Sequence, residues 1–268
     1  MKSIPYMNDI KEYQRVSFSK LRGKFVMTIY VILNLLVVIT LYHSATQGDW
    51  GNVFTCIKVL LLFIMLSLLD RILKVELPSI LFVSVQLFIF AAMILGEVQA
   101  FYIRFSYWDT MLHTINGFLF AVFGYIILNI IDGQNPSNRS IVKQIHFIFT
   151  ALCFSMTVGV IWEFYEFVMD SFFGRDMQKD TIIRTINSMK INESTHSVTV
   201  FNNINDVTIN GKNLDLDGYL DIGLYDTMSD LYVNFIGAFI FCLLLYFSYK
   251  ASSKCKIFRS LITSTRRR

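Results

Sequence analysis

Six separated apolar runs, each about as long as a bilayer is thick, leave this chain few folds to adopt. They cover about 25–42, 53–69, 77–95, 109–131, 145–169 and 227–249. Inside a bilayer every backbone N–H and C=O must be satisfied within the segment, so runs of this length cross as α-helices. With 54% hydrophobic and only 16% charged residues in 268, the chain is too apolar for an ordinary soluble domain. The expected fold is an all-α polytopic membrane protein of six transmembrane helices. The first run follows a basic stretch, as a signal peptide would. It is longer than a usual signal core and no small-x-small cleavage site follows it, so it reads as a retained anchor.

Charge placement orients the helices. Residues 1–24 are polar and basic, and 10–18 could form a short interfacial helix. With six spans both termini share one side, which carries seventeen Lys and Arg. The opposite side carries six, and Lys58 lies inside the second run. The positive-inside rule then makes both termini cytoplasmic. The basic tail 250–268 is what a cytoplasmic juxtamembrane segment shows, so a nucleic-acid partner is not indicated.

Between the spans, 43–52 reads as a short loop. Residues 96–108 read as an aromatic loop at the membrane interface, and 132–138 as a turn. Pro78 opens the third span, where a missing N–H costs least. The segment 171–226 differs in kind. Its β-branched runs 198–201 and 207–209, the alternating stretch 214–222 and the turn chemistry of Asn210-Gly211 predict a small extracytoplasmic β-meander. Asn202–Asp206 and Asp215-x-Asp217-Gly218 lack a full twelve-residue calcium loop and read as turns. Cys56, Cys153, Cys242 and Cys255 form no CxxC pair, so neither a disulfide framework nor a thiolate metal site is suggested.

The fifth run ends in Ile161-Trp162-Glu163-Phe164-Tyr165-Glu166-Phe167-Val168-Met169-Asp170. Glu163, Glu166 and Asp170 fall at i, i+3 and i+7, on one helix face. Acids within a bilayer-length run are costly and default to a functional-site reading. The fourth run presents Asp109, His113 and Asn116-Gly117 at successive turns from its outer end. The sixth presents Asp226, Asp230, Asn234 and Gly237 in the same way. At 1.5 Å per residue these sets fall at matching depths in the outer leaflet. The other halves, 118–131, 147–154 and 239–247, are nearly free of polar residues. Asp109 and Asp226 also suit first-turn positions, where a carboxylate meets orphan N–H groups. Asn234 and Gly237 also suit close helix approach.

Carboxylates with one imidazole suit a divalent cation. The candidate metal ligands are Asp109, His113, Glu163, Glu166, Asp170, Asp226 and Asp230. Glu163, His113 and Asp230 are the candidate acid/base groups, and Arg175 and Asn234 the candidate substrate contacts. No P-loop, dinucleotide fingerprint or HExxH motif occurs.

Asp109-x-x-x-His113, Glu163-x-x-Glu166, Arg175 and Asp230-x-x-x-Asn234-x-x-Gly237 together resemble the VanZ-like membrane proteins. Trp108–His113, Trp162–Glu166 and Asp226–Asp230 resemble the YjdF-like bacterial membrane proteins more closely. The resemblance covers about residues 107–247. This chain has Glu166 where the VanZ-like pattern has Gln, and a long insertion over 176–225. The resemblance implies a bacterial envelope protein and names site residues rather than a reaction. Three readings follow. One is a metal-assisted enzyme acting on a lipid or lipid-linked substrate. The second is a carrier or binding protein for a cation or small solute. The third is a structural component whose polar cluster locks packing.

Overall fold

The computed structural model of the chain describes residues 6–72, 75–76, 78–133, 139–192, 197–250 and 265–266. The helices are α1 (Tyr6–Gln47), α2 (Trp50–Ile72), α3 (Ser79–Ile89), a π-helical segment (Phe90–Val98), α4 (Phe101–Arg104), α5 (Trp108–Asp132), α6 (Ile141–Phe173) and α7 (Leu224–Lys250). The strands are β1 (Val75–Glu76), β2 (Thr181–Ile183), β3 (Thr185–Ser188), β4 (Thr199–Asn202), β5 (Thr208–Ile209), β6 (Lys212–Asn213), β7 (Tyr219–Asp221) and β8 (Thr265–Arg266). Among the described residues six helical stretches are long and apolar enough to cross a membrane: Gly23–Gln47, Trp50–Leu68, Ser79–Val98, Trp108–Asp132, Ile141–Phe173 and Leu224–Tyr249.

The chain divides into two compact units, Met1–Ser155 with Asn234–Arg268, and Met156–Val233. The first holds α1 to α5, the start of α6 and most of α7. It has two apolar cores. One joins Leu81 to Leu119, Val122, Tyr125, Phe147, Ala151, Phe241 and Leu245. The other joins Leu33 and Val37 to Cys56, Val59, Phe63 and Ile94. Outside these cores the helices expose large apolar side chains such as Leu35, Ile39, Leu61 and Phe149, each at least half exposed. That is the surface a lipid-embedded helix presents, because acyl chains are as apolar as Leu.

Several boundaries differ from the sequence expectation. The tract 10–18 is not a separate interfacial helix but part of α1, which runs unbroken from Tyr6 to Gln47. Forty-two residues reach about 60 Å, twice the thickness of a bilayer core. The loop expected at 43–52 shrinks to Gly48 and Asp49, where Gly48 takes φ 73° and the Asp49 carboxylate caps α2 through the Asn52 N–H (3.1 Å). The third span continues to Val98 through the π-helical segment, so Gly96 is helical rather than in a loop. A Cβ on Gly96 would lie 2.4 Å from the Tyr102 ring, which explains a residue without a side chain there. The aromatic stretch then packs on itself. Phe101 meets Phe105 and Trp108 edge-on, both at 4.9 Å between ring centres. Gly133, at φ 64°, ends α5; residues 134–138 of the expected turn lie outside the described residues.

The second unit holds the rest of α6, six strands and the start of α7. The insertion is strand-rich, as expected, but its pairing is not that of a meander. The pairs are β2 with β7, β3 with β4, and β5 with β6, all antiparallel. The runs picked out by β-branching therefore do not pair with one another. Their partners include 181–188, whose five β-branched residues (Thr181, Ile182, Ile183, Thr185 and Ile186) carry the same signal but lie outside the runs read as strand. The Asn210-Gly211 signal does hold. Both residues take positive φ (51° and 79°), the requirement of a two-residue hairpin turn joining β5 to β6. Asn203 and Asp215, in the two Asx-rich stretches read as turns, also take positive φ.

Candidate functional site

In the second unit α6 is polar inside and aromatic outside. Glu163 and Glu166 are buried at 3% and 6% exposure. Ile161, Trp162, Phe164, Tyr165, Phe167 and Val168 around them are all exposed. A soluble helix would be turned the other way, with its acids facing solvent. The i, i+3 spacing thus places both glutamates on one buried face, as the sequence implies. Trp162 Nε1 donates to Glu166 Oε1 (2.8 Å), one turn along the same helix. The sequence analysis names Trp162 only as the start of the family motif and gives it no role, although an indole four residues before an acid is a visible signal. On α7, Asp230 is 3% exposed, and the flanking Met228 and Tyr232 are exposed.

Asp170 and Asp226 have a visible structural task. The Asp170 carboxylate accepts the backbone N–H of Met177 (2.7 Å) and of Gln178 (2.8 Å). Gly174, at φ 61°, turns the chain so that it folds back over the end of α6. Asp226 in the first turn of α7 accepts the Lys179 N–H (2.8 Å), and the Gln178 side chain donates to Thr227 Oγ1 (2.5 Å). Gly223 is packed against that Gln178 side chain, where a Cβ would come within 2.9 Å. These contacts fasten both roots of the insertion. Arg175 is exposed, and its N–H reaches back to Met169 O (3.2 Å).

In the first unit, His113 is 7% exposed and its Nε2 stands 3.5 Å from Asp109 Oδ1. Deeper along α5, Asn116 Nδ2 donates to Asn234 Oδ1 (3.3 Å), and Asn234 Nδ2 reaches Ser155 O (3.5 Å). Ser155 Oγ in turn donates to Gly117 O (2.7 Å). Gly117 and Gly237 permit this crossing. A Cβ on Gly117 would lie 2.0 Å from Asn234 O, and one on Gly237 1.9 Å from Thr114 O. Asn234 therefore serves a close helix approach, and Ser155 is a partner the sequence reading missed.

The other half of α5 is less apolar in practice than its sequence suggests. Gln144 Nε2 donates to Tyr125 OH (3.0 Å), and Arg139 donates to Asp132 (2.9 Å) and Asn129 (2.5 Å). These contacts join positions 7–19 residues apart, so no single periodic run reveals them.

Among the described residues, six helices long and apolar enough to cross a bilayer, with buried acids, a buried histidine and exposed apolar side chains, define a multi-pass helical membrane protein. The chain belongs to the DUF2238 family, described as a predicted membrane protein family, whose match spans residues 25–251. No curated protein and no solved structure matches it.

Proposed function

We propose that this protein is a multi-pass component of the bacterial cell membrane, related to the YjdF-like and VanZ-like proteins. In this reading its acids and histidine bind a divalent cation and act on a lipid or lipid-linked substrate from the outer face. Both termini then lie in the cytoplasm and the 171–226 insertion outside. The observation that supports this most is the inverted α6, which buries Glu163 and Glu166 beneath an exposed aromatic surface. Burying carboxylates costs several kcal/mol unless a counter-charge or hydrogen bonds offset it. Asp109, His113, Glu163, Glu166 and Asp230 are the proposed ligands and acid/base groups. Hard oxygens with one imidazole suit magnesium, manganese, calcium or zinc. Such a cation supplies Lewis acidity and an activated water. Arg175, exposed beyond the end of α6, can meet an anionic head group. Asp170 and Asp226, already bound to backbone amides, hold the insertion in place rather than the ion.

The test is elemental mass spectrometry on the protein purified in detergent, beside Glu163→Gln and His113→Ala. Stoichiometric metal in the parent, lost in both variants at unchanged folding, is the expected result. No metal in any sample after cation titration would overturn the reading and leave a packing role or a proton-linked carrier.

A further inference from the structure

Trp162 on α6 faces two ways. The residue is 44% exposed on the apolar surface of the helix, yet its Nε1 donates to Glu166 Oε1 (2.8 Å), an acid only 6% exposed. A tryptophan that merely anchors a helix at a membrane interface turns its N–H to water or head groups. This one gives it to a buried carboxylate and leaves its ring on the outer surface. Tyr165, also 44% exposed, packs beside it, with ring centres 5.3 Å apart and planes 37° to each other. From Ile141, where the span opens, to Trp162 is about 30 Å along the helix. That is the thickness of a hydrocarbon core, so both rings fall at head-group depth at the far end of the span. A buried acid, its hydrogen-bond donor and two exposed aromatic rings therefore meet where lipid head groups lie.

We propose that Trp162, Tyr165 and Glu166 form a lipid-side portal that takes the primary ammonium of a phospholipid head group. The inference rests on the reading of the buried α6 face as a ligand site, and not on a bound metal. The residues set the head-group chemistry. A phosphate would meet repulsion from Glu163 and Glu166. A primary ammonium carries three donors and a full charge, so at Glu166 it replaces the neutral indole N–H with a stronger charge-assisted bond. The ring faces of Trp162 and Tyr165 attract the same cation. A quaternary ammonium is drawn to the rings but has no donor for the carboxylate. Free amines share the primary ammonium. Ile161 and Val168, exposed one turn to either side of Tyr165, offer acyl chains a surface that a free amine would not use.

The test uses the full chain, delipidated in detergent and offered phosphatidylethanolamine, phosphatidylcholine or phosphatidylglycerol, with retention followed by native mass spectrometry. Phosphatidylethanolamine is expected to be retained over both others. Glu166→Gln keeps an acceptor for the Trp162 N–H but removes the charge, and should lower that retention about ten-fold. Trp162→Leu keeps the surface apolar and should lower it about three-fold. Unfolding midpoints check both variants, and the exposed Trp162 keeps the test decisive if Glu166→Gln does not fold. Equal retention of the three lipids, or a preference that survives either substitution in a folded variant, would overturn the proposal. So would displacement of phosphatidylethanolamine by millimolar ethanolamine, the mark of a free-amine site. Metal content of the same samples separates this proposal from the metal reading. Metal without lipid preference overturns the portal alone, and lipid preference without metal overturns the metal reading alone.

Discussion

Single atoms decide how close two helices can come. The backbone oxygens opposite Gly117 and Gly237 belong to helices and cannot rotate away as a flexible side chain could. Gly117→Ala or Gly237→Ala should therefore reach or exceed the upper end of overpacking costs, about 3 kcal/mol, read as a lowered unfolding midpoint in detergent. Gly51→Ala is the control, since its nearest neighbour is the Asp49 carboxylate at 3.5 Å. Gln86 makes the opposite case. It is fully buried in α3, and neither of its side-chain polar atoms has a hydrogen-bond partner among the described residues. A buried amide without a partner costs about 1–3 kcal/mol, so Gln86→Met should raise the unfolding midpoint. A fall instead would show that Gln86 finds a partner in another conformation.

An element is held by its ends as well as its faces. The end of α6 is gripped by Asp170, whose two oxygens take two backbone N–H groups. Asp170→Ala leaves both unsatisfied and should cost about 1–2 kcal/mol locally, in the range of a lost helix cap. Hydrogen exchange should show lost protection over 174–183, with the metal content measured for the parent unchanged. Loss of metal in that variant would return Asp170 to the ligand set. In β5–β6 the turn needs positive φ at both central residues. Gly211→Val, a β-branched side chain at φ 79°, should strip protection from that hairpin alone.

Among the described residues the molecule has an even number of candidate spans and one large insertion. That count predicts both termini on one side and the insertion on the other. In whole cells a membrane-impermeant maleimide should label Lys212→Cys and leave Cys255 untouched, the remaining cysteines having been replaced. Labelling of Cys255 alone would reverse the orientation and place the acidic faces of α6 and α7 toward the cytoplasm.

Span number, span limits to within a few residues and the inward face of α6 were legible in the sequence. All three follow from local rules: a bilayer demands about twenty apolar residues, and a helix repeats every 3.6. The acids stood out because their neighbours are almost all apolar. What tertiary structure alone decided is of a different kind. That β4 pairs with β3, that Asp170 and Asp226 bind loop amides, and that Ser155 bonds the Gly117 carbonyl all depend on contacts between distant positions. Periodicity reports which face of an element is apolar. It does not report which partner satisfies a given polar atom, because that is fixed only when the elements are packed.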